Sequence, residues 1–266
     1  MDRIQFPFKE KRVLIGTVHL KPLPGTARFA GKVETVLASA RADARAWLAG
    51  GADGLIVENF GDAPFTPGRV EPHTVALLTL AAQEIGRLGN KPVGVNVLRN
   101  DGRAALGVAR AVGAAFIRVN VFTGVVATDQ GIIEGEAQAL LAYRNLIGAG
   151  PAILADVHVK HGRPLHSTSI AQDAEEAYLR GRADALIVTG SASGAVPDTA
   201  DLEAVHNALP EAPLVAGSGL TPDNAPEIFR HARAAIVGTW CKEGGDISAP
   251  VDRSRVERLA DAVRKL

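Results

Sequence analysis

One cysteine, Cys241, stands among 266 residues. It has no partner for an internal disulfide, so a reducing compartment is the expected setting. Net charge is absent too, with 29 Lys and Arg against 29 Asp and Glu. A general nucleic-acid binder needs a basic excess to neutralise phosphates, and that class is excluded. Long hydrophobic runs are missing. The longest stretch without Asp, Glu, Lys or Arg covers residues 185–197, only 13 positions and rich in Gly and Ser. A membrane-spanning helix needs roughly 18 or more apolar residues. Residues 1–12 are charged and interrupted by Pro7, with no apolar signal core behind them. A cytoplasmic protein without a transmembrane segment is expected, with peripheral contact to a membrane complex left open. What is present is a hydrophobic fraction of 47%, too high for disorder.

Internal repetition organises that apolar content. A turn of small residues followed by an apolar run occurs at Gly51-Ala52-Asp53-Gly54-Leu55-Ile56-Val57, Gly113-Ala114-Ala115-Phe116-Ile117-Arg118-Val119, Arg182-Ala183-Asp184-Ala185-Leu186-Ile187-Val188 and Arg233-Ala234-Ala235-Ile236-Val237. Each follows an alanine-rich stretch and reads as a helix end, a tight turn and a buried strand. Between them lie shorter apolar runs at 13–18, 93–97, 152–157 and 214–216, the last three opened by Pro92, Pro151 and Pro213. Proline suits the first residue of a strand, where no ladder donor is lost. Helical segments at 38–49, 75–88, 140–147 and 170–180 separate the runs. Eight strands alternating with helices predict a (β/α)8 barrel over residues 1–266 as one domain. A doubly wound open sheet is the competitor. The long connections at 20–32 and 60–72 both follow strands, which places them on the catalytic face of a barrel.

Side chains alternate along a strand, and barrel active sites gather at the C-terminal strand ends. Late in the strands stand His19 beside Thr17, Glu58 with Asn59, Asn96, Arg118 with Asn120, and Thr189. The fifth strand is the richest. In Ala155-Asp156-Val157-His158-Val159-Lys160, alternation turns Asp156, His158 and Lys160 inward. One reading is structural: Glu58 or Asp156 pairs with Arg118 or Lys160 and holds the barrel closed. The other is catalytic. Asp156 or Glu58 serves as general base, His158 or His19 shuttles protons, and Lys160 neutralises an enolate or forms a Schiff base. His19, Glu58, Asp156 and His158 can also ligate a divalent metal, although a lone D-x-H is a weak metal signal. His73, His161 and His166 are read as loop histidines.

A second constellation follows the seventh and eighth strands. Gly217, Ser218 and Gly219 lead into Thr221 and Pro222, read as the N-cap and first residue of a helix, and the last strand ends in Gly238 and Thr239. Glycines let backbone N–H groups approach an anion, and loops after strands seven and eight are the usual barrel phosphate site. The Gly190-Ser191-Ala192-Ser193-Gly194 loop either lines the same pocket or is a surface loop.

Several blocks resemble the BtpA family. They are Gly16-Thr17-Val18-His19-Leu20 with Pro22-Leu23-Pro24-Gly25, Glu58-Asn59-Phe60-Gly61-Asp62-Ala63-Pro64-Phe65, Arg118-Val119-Asn120-Val121, Thr128-Asp129-Gln130-Gly131-Ile132-Ile133-Glu134-Gly135, Ala155-Asp156-Val157-His158-Val159-Lys160-His161, Ile187-Val188-Thr189-Gly190, Gly217-Ser218-Gly219 and Gly238-Thr239. Trp240-Cys241 departs from the smaller or polar residues expected there. The resemblance implies a barrel of the ribulose-phosphate-binding class. It also implies two incompatible roles: photosystem I biogenesis at thylakoid membranes, or a sugar- or nucleoside-related enzyme in non-photosynthetic relatives. It supplies no reaction. In the 128–135 block, a polar loop entering a helix is expected, with Asp129 and Glu134 reaching substrate from the rim or Asp129 capping that helix.

The residues thus support an isomerase-, epimerase- or lyase-type enzyme on a small phosphorylated metabolite, sugar phosphate or nucleotide-related. A non-catalytic assembly factor and a ligand-sensing barrel are the alternatives. Homo-oligomerisation is compatible with the sequence, with no single apolar stripe marking it.

Overall fold

The computed structural model describes residues 3–148, 150–166, 169–190, 194 and 196–266. In chain order the elements are β1 (Val13–His19), α1 (Val33–Ala49), β2 (Gly54–Glu58), α2 (Pro72–Gly86), β3 (Val93–Asn96), α3 (Gly102–Val112), β4 (Phe116–Val119), β5 (Val125–Thr128), β6 (Gly131–Glu134), α4 (Ala137–Leu146), β7 (Ala152–Val157), β8 (Gly162–Pro164), α5 (Ile170–Glu175), β9 (Ala185–Val188), α6 (Thr199–Ala208), β10 (Leu214–Ala216), α7 (Ala225–Ile228), β11 (Ala234–Val237) and α8 (Arg253–Arg264). Eight strands close a parallel barrel in the order β1-β2-β3-β4-β7-β9-β10-β11, with β11 pairing back to β1. The other three, β6-β5-β8, form a separate antiparallel sheet. The barrel expectation holds and the open sheet is excluded, because no edge remains.

Strand alternation divides the core into two shells. Ile15, Ile56, Phe116, Leu154, Ile187 and Ile236 fill the barrel interior. Leu14, Leu55, Ile117, Ile153, Leu186 and Ala235, each one residue away, pack against the helices. The inward parity continues upward through Thr17, Glu58, Arg118 and Asp156, which is why polar residues meet at the mouth. Below, Phe8 plugs the floor, its ring 5.9 Å from that of Phe116.

The repeated turns have a mechanical role. Asp53 Oδ2 accepts from Leu14 N at 2.9 Å, and Asp184 Oδ2 accepts from Ile153 N at 2.8 Å. Each turn aspartate thereby stitches its own strand to the preceding one. The proline-opened strands lie where expected. Glycine matters most where an interior side chain crosses its strand: a Cβ on Gly94 falls 2.1 Å from Cε2 of Phe116. Gly94→Ala is expected to destabilise by about 1–3 kcal/mol through overpacking, read as a lower denaturation midpoint with an unchanged slope.

Some local expectations are corrected. The Thr128-Asp129-Gln130-Gly131 block is not a loop entering a helix. It turns the β5–β6 hairpin, with Gly131 at φ 106°, and the next helix starts at Ala137 with Glu136 at its N-cap. Asp129 therefore caps no helix. At the other loop, Thr221 makes the capping contacts expected of it: its Oγ1 accepts from Asn224 N at 3.4 Å, its carbonyl accepts from Ala225 N at 3.1 Å, and Asn224 Oδ1 accepts from Thr221 N at 2.8 Å, although the regular helix α7 begins only after Asn224 and is 4 residues long. His73 lies in the first turn of α2 rather than on a loop. Among the described residues no helix is long and apolar enough to cross a membrane.

Candidate functional site

The strand ends converge on Arg118. Its Nε donates to both oxygens of Asp156 at 3.1 and 3.2 Å, its Nη2 to Asp156 Oδ2 at 3.1 Å, and its Nη1 to Glu58 Oε1 at 3.5 Å. Asn120 Nδ2 donates to Asp156 Oδ2 at 2.6 Å, and Asn96 Nδ2 to Glu58 Oε1 at 3.2 Å. The Asp156 side chain is 0% exposed. A carboxylate so enclosed and so fully bonded holds Arg118 in place, whereas Glu58 keeps contact with the open mouth. The structural pairing expected of Asp156 is present. Asn59 is also committed to the scaffold: its side chain bonds Asp62 and both backbone groups of Leu98, bracing the two connections.

Lys160 faces the same mouth, bordering the cavity with Glu58 and Arg118. Burial, reinforced by the positive charge of Arg118, pulls its amine down to about 8 against the opposing pull of Glu58 and Asp156. His19 lies 3.8 Å (Nε2–Oε2) from Glu58, yet burial holds it well below the usual imidazole range, helped by the cations Lys242, Lys160 and Arg118. It is a neutral ring, stacked on Phe60 with centroids 4.4 Å apart. Its Nδ1 is buried and makes no hydrogen bond within the described residues.

His158 does not share that face. β7 ends at Val157, and His158 adopts φ 54°, so the strand alternation stops one residue short. Its Nε2 instead lies 2.6 Å from Oδ2 of Asp173 on α5. An outer compartment, a wide cavity of about 610 Å³ whose wall does not include Asp173, is bordered by Asp129, His158, Lys160, His161 and Thr189. Of the four residues considered as metal ligands, Asp156 is locked in the Arg118 fork and His158 is turned to Asp173. Among the described residues no group of three or more His, Cys, Asp and Glu side chains is placed to hold a metal.

The mouth cavity measures about 180 Å³. It is bounded also by Gly217, Ser218, Gly219, Gly238 and Thr239 after β10 and β11. The Gly217 N–H is committed to the Val188 carbonyl at 2.7 Å, which removes it as an anion donor. Gly219, at φ 71°, turns the chain there. Because α7 has a single turn, the macrodipole assistance expected from a helix after Thr221 is lost. Gly194 also borders the cavity, while Ser191, Ala192 and Ser193 lie outside the described residues.

The BtpA family profile matches residues 10–265. The chain belongs to the BtpA family. It is 45% identical over 263 residues to the photosystem I biogenesis protein BtpA of Synechocystis sp., covering 99% of this chain and 91% of that protein. An uncharacterized protein of Pyrococcus furiosus is 43% identical over 249 residues, covering 94% of each chain. Among solved structures, phosphoribosyl anthranilate isomerase from Thermococcus kodakaraensis superposes with TM-score 0.56 at 17% identity, covering 96% of this chain and 99% of that one. That likeness concerns the barrel alone.

Two cations of this BtpA-family site escape sequence reading. Arg255 enters the cavity wall from α8, where its Nε donates to the Trp240 carbonyl at 2.5 Å and its guanidinium lies 4.8 Å from the Trp240 ring. The unexpected tryptophan is thus the support that aims Arg255. Arg99 is 4% exposed and donates to the Lys160 carbonyl at 2.5 Å, while its Nε makes no hydrogen bond within the described residues. Neither lies on a strand, so no alternation rule points to them. Cys241 is no nucleophile: burial pushes its thiol up to about 12.

Proposed function

We propose that the protein is an enzyme that binds a compact phosphorylated metabolite in the mouth of the barrel and moves a proton on it. The observation that carries this reading is one cavity with two chemically different ends. Glycine-bearing turns and Arg255 stand at one end, and Glu58, Lys160 and Arg118 at the other. The first end suits a phosphate, held by Ser218, Gly219, Gly238, Thr239 and the guanidinium. The second suits proton transfer next to a developing negative charge. Glu58 takes the proton and the Lys160 ammonium, with Arg118 behind it, stabilises the enolate-like oxygen. Asp156, Asn96 and Asn120 position Arg118 and Glu58. His19 hydrogen-bonds substrate as a neutral ring, and His158, Asp129 and Thr189 border the outer rim. Isomerisation, epimerisation and carbon–carbon or glycosidic-type cleavage share this first step. The solved barrel named as a phosphoribosyl anthranilate isomerase supports the class.

The test is a thermal-shift screen of sugar phosphates with inorganic phosphate as control. A ligand present at about 100 times its Kd stabilises by roughly 2.7 kcal/mol, a shift of several degrees in a chain of this size. Arg255→Met is expected to remove that response and Glu58→Gln to preserve it while abolishing turnover. A flat screen with the unaltered protein sinks the reading. The 45% identity to a protein named for photosystem I biogenesis carries a second one, a docking role on a membrane complex. In that case Arg255→Met and Glu58→Gln leave function in the cell intact.

A further inference from the structure

We propose that the substrate carries, beyond its phosphate, a planar and largely apolar group of nucleobase type, seated in a second chamber beside the mouth cavity. This rests on the phosphate reading above and names the substrate class. The chamber measures about 300 Å³ and shares two wall residues, His19 and Ile247, with the phosphate cavity. Its remaining apolar walls are Leu20, Pro22, Phe60, Ala249 and Pro250. Apolar walls with a few polar groups are what a planar ring system needs. Lys21, Arg28, Ser39, Ser248 and the Asp43–Lys242 pair supply the polar edge.

The divider is itself chemically suggestive. His19 is neutral, its ring is fixed by stacking on Phe60, and its buried Nδ1 is without a hydrogen bond in the described chain. Bordering both chambers, this fixed ring is what a ligand spanning them meets. The outer wall is preformed as well. It is the 242–251 loop, closed by a bridge between Lys242 and Val251. Asp43 on α1 clamps both ends, accepting from Lys242 Nζ at 2.7 Å and from Val251 N at 2.9 Å. A wall held in this way loses little freedom when a ring enters. The outer compartment on the other side of Lys160 is wider and mixes Asp129, His161, Arg163 and Asp201 with Ala127, Val159 and Pro164, without a Phe, Tyr or Trp ring in its wall.

Isothermal titration with ribose 5-phosphate, four nucleoside 5′-monophosphates, adenosine and inorganic phosphate tests this. At least one nucleotide is expected to bind about tenfold or more tighter than ribose 5-phosphate. Ala249→Trp, which fills the chamber, is expected to close that gap. Equal affinities for ribose 5-phosphate and all four nucleotides overturn the inference and leave the phosphate reading standing. So does a nucleotide advantage that survives Ala249→Trp. Adenosine binding as tightly as its monophosphate overturns the phosphate reading instead. No binding by any of these ligands overturns both.

Discussion

Arg118→Leu is expected to cost about 3–5 kcal/mol of stability, the usual consequence of removing one partner from a buried ion cluster. In a chain of this size that is a drop of roughly 6–15 °C in Tm. The reason is the company Arg118 keeps. It is 2% exposed and bridges Asp156 and Glu58, both buried, so its loss strands two carboxylates in low dielectric. Adding Glu58→Gln and Asp156→Asn to Arg118→Leu should recover part of the loss, because the stranded charges are then removed. Denaturant titrations at pH 7 check both expectations. A loss below about 1 kcal/mol at pH 7 would mean that water reaches the cluster.

Lys160→Met is expected to do the opposite to stability while abolishing function. The folded amine titrates at about 8 against an ordinary value of 10.5. The sign follows from linkage: between those values the unfolded chain binds more protons, so stability rises with pH across that window. Below about 8 the whole cost of burying the ammonium is present. Lys160→Met removes that cost and should stabilise by about 1–3 kcal/mol at pH 7, a gain that vanishes by pH 10.5. Turnover of a substrate found by the thermal screen should fall by about 10²–10³, the scale of one lost oxyanion donor. Because the charged amine is the working form, kcat/KM should decline above pH 8. Mass spectrometry of amine-reactive labelling, with half-maximal reaction of Lys160 near pH 8, checks the titration without any substrate. A midpoint above 10 would remove the basis for this role. A residue whose removal gains stability and loses activity is placed for chemistry, not for folding.

The site was only partly legible in the sequence, and the boundary falls at the strand ends. Thr17, Glu58, Asn96 and Arg118 were readable because each occupies an inward position on a strand, where alternation is strict. His158 was misplaced because alternation was carried one residue past the end of β7, into a left-handed conformation. Asp156 was placed correctly and its pairing with Arg118 was among the readings, but a strand pattern gives direction and does not choose between Arg118 and Lys160 as the partner. The 128–131 turn deceived for another reason. An Asp before a polar, glycine-containing stretch serves as a helix cap or a hairpin turn, and only the pairing of β5 with β6 and β8 decides between them.

The sequence by itself narrowed the fold to a barrel or a doubly wound sheet, since eight apolar runs alternating with helical segments need both faces of every strand covered, and the pairing of β11 with β1 decided for the barrel. It also determined which strand residues point into the mouth, and the turn aspartates and prolines that start the strands. Tertiary structure alone decided what those residues do there. Arg118 bonding two carboxylates, Lys160 deprived of water, Arg255 arriving from the last helix and Asp43 clamping a loop some 200 residues away are contacts between segments far apart in the chain. Local pattern carries direction and periodicity, whereas charge pairing and desolvation depend on distance in space, and closing the barrel is what sets those distances.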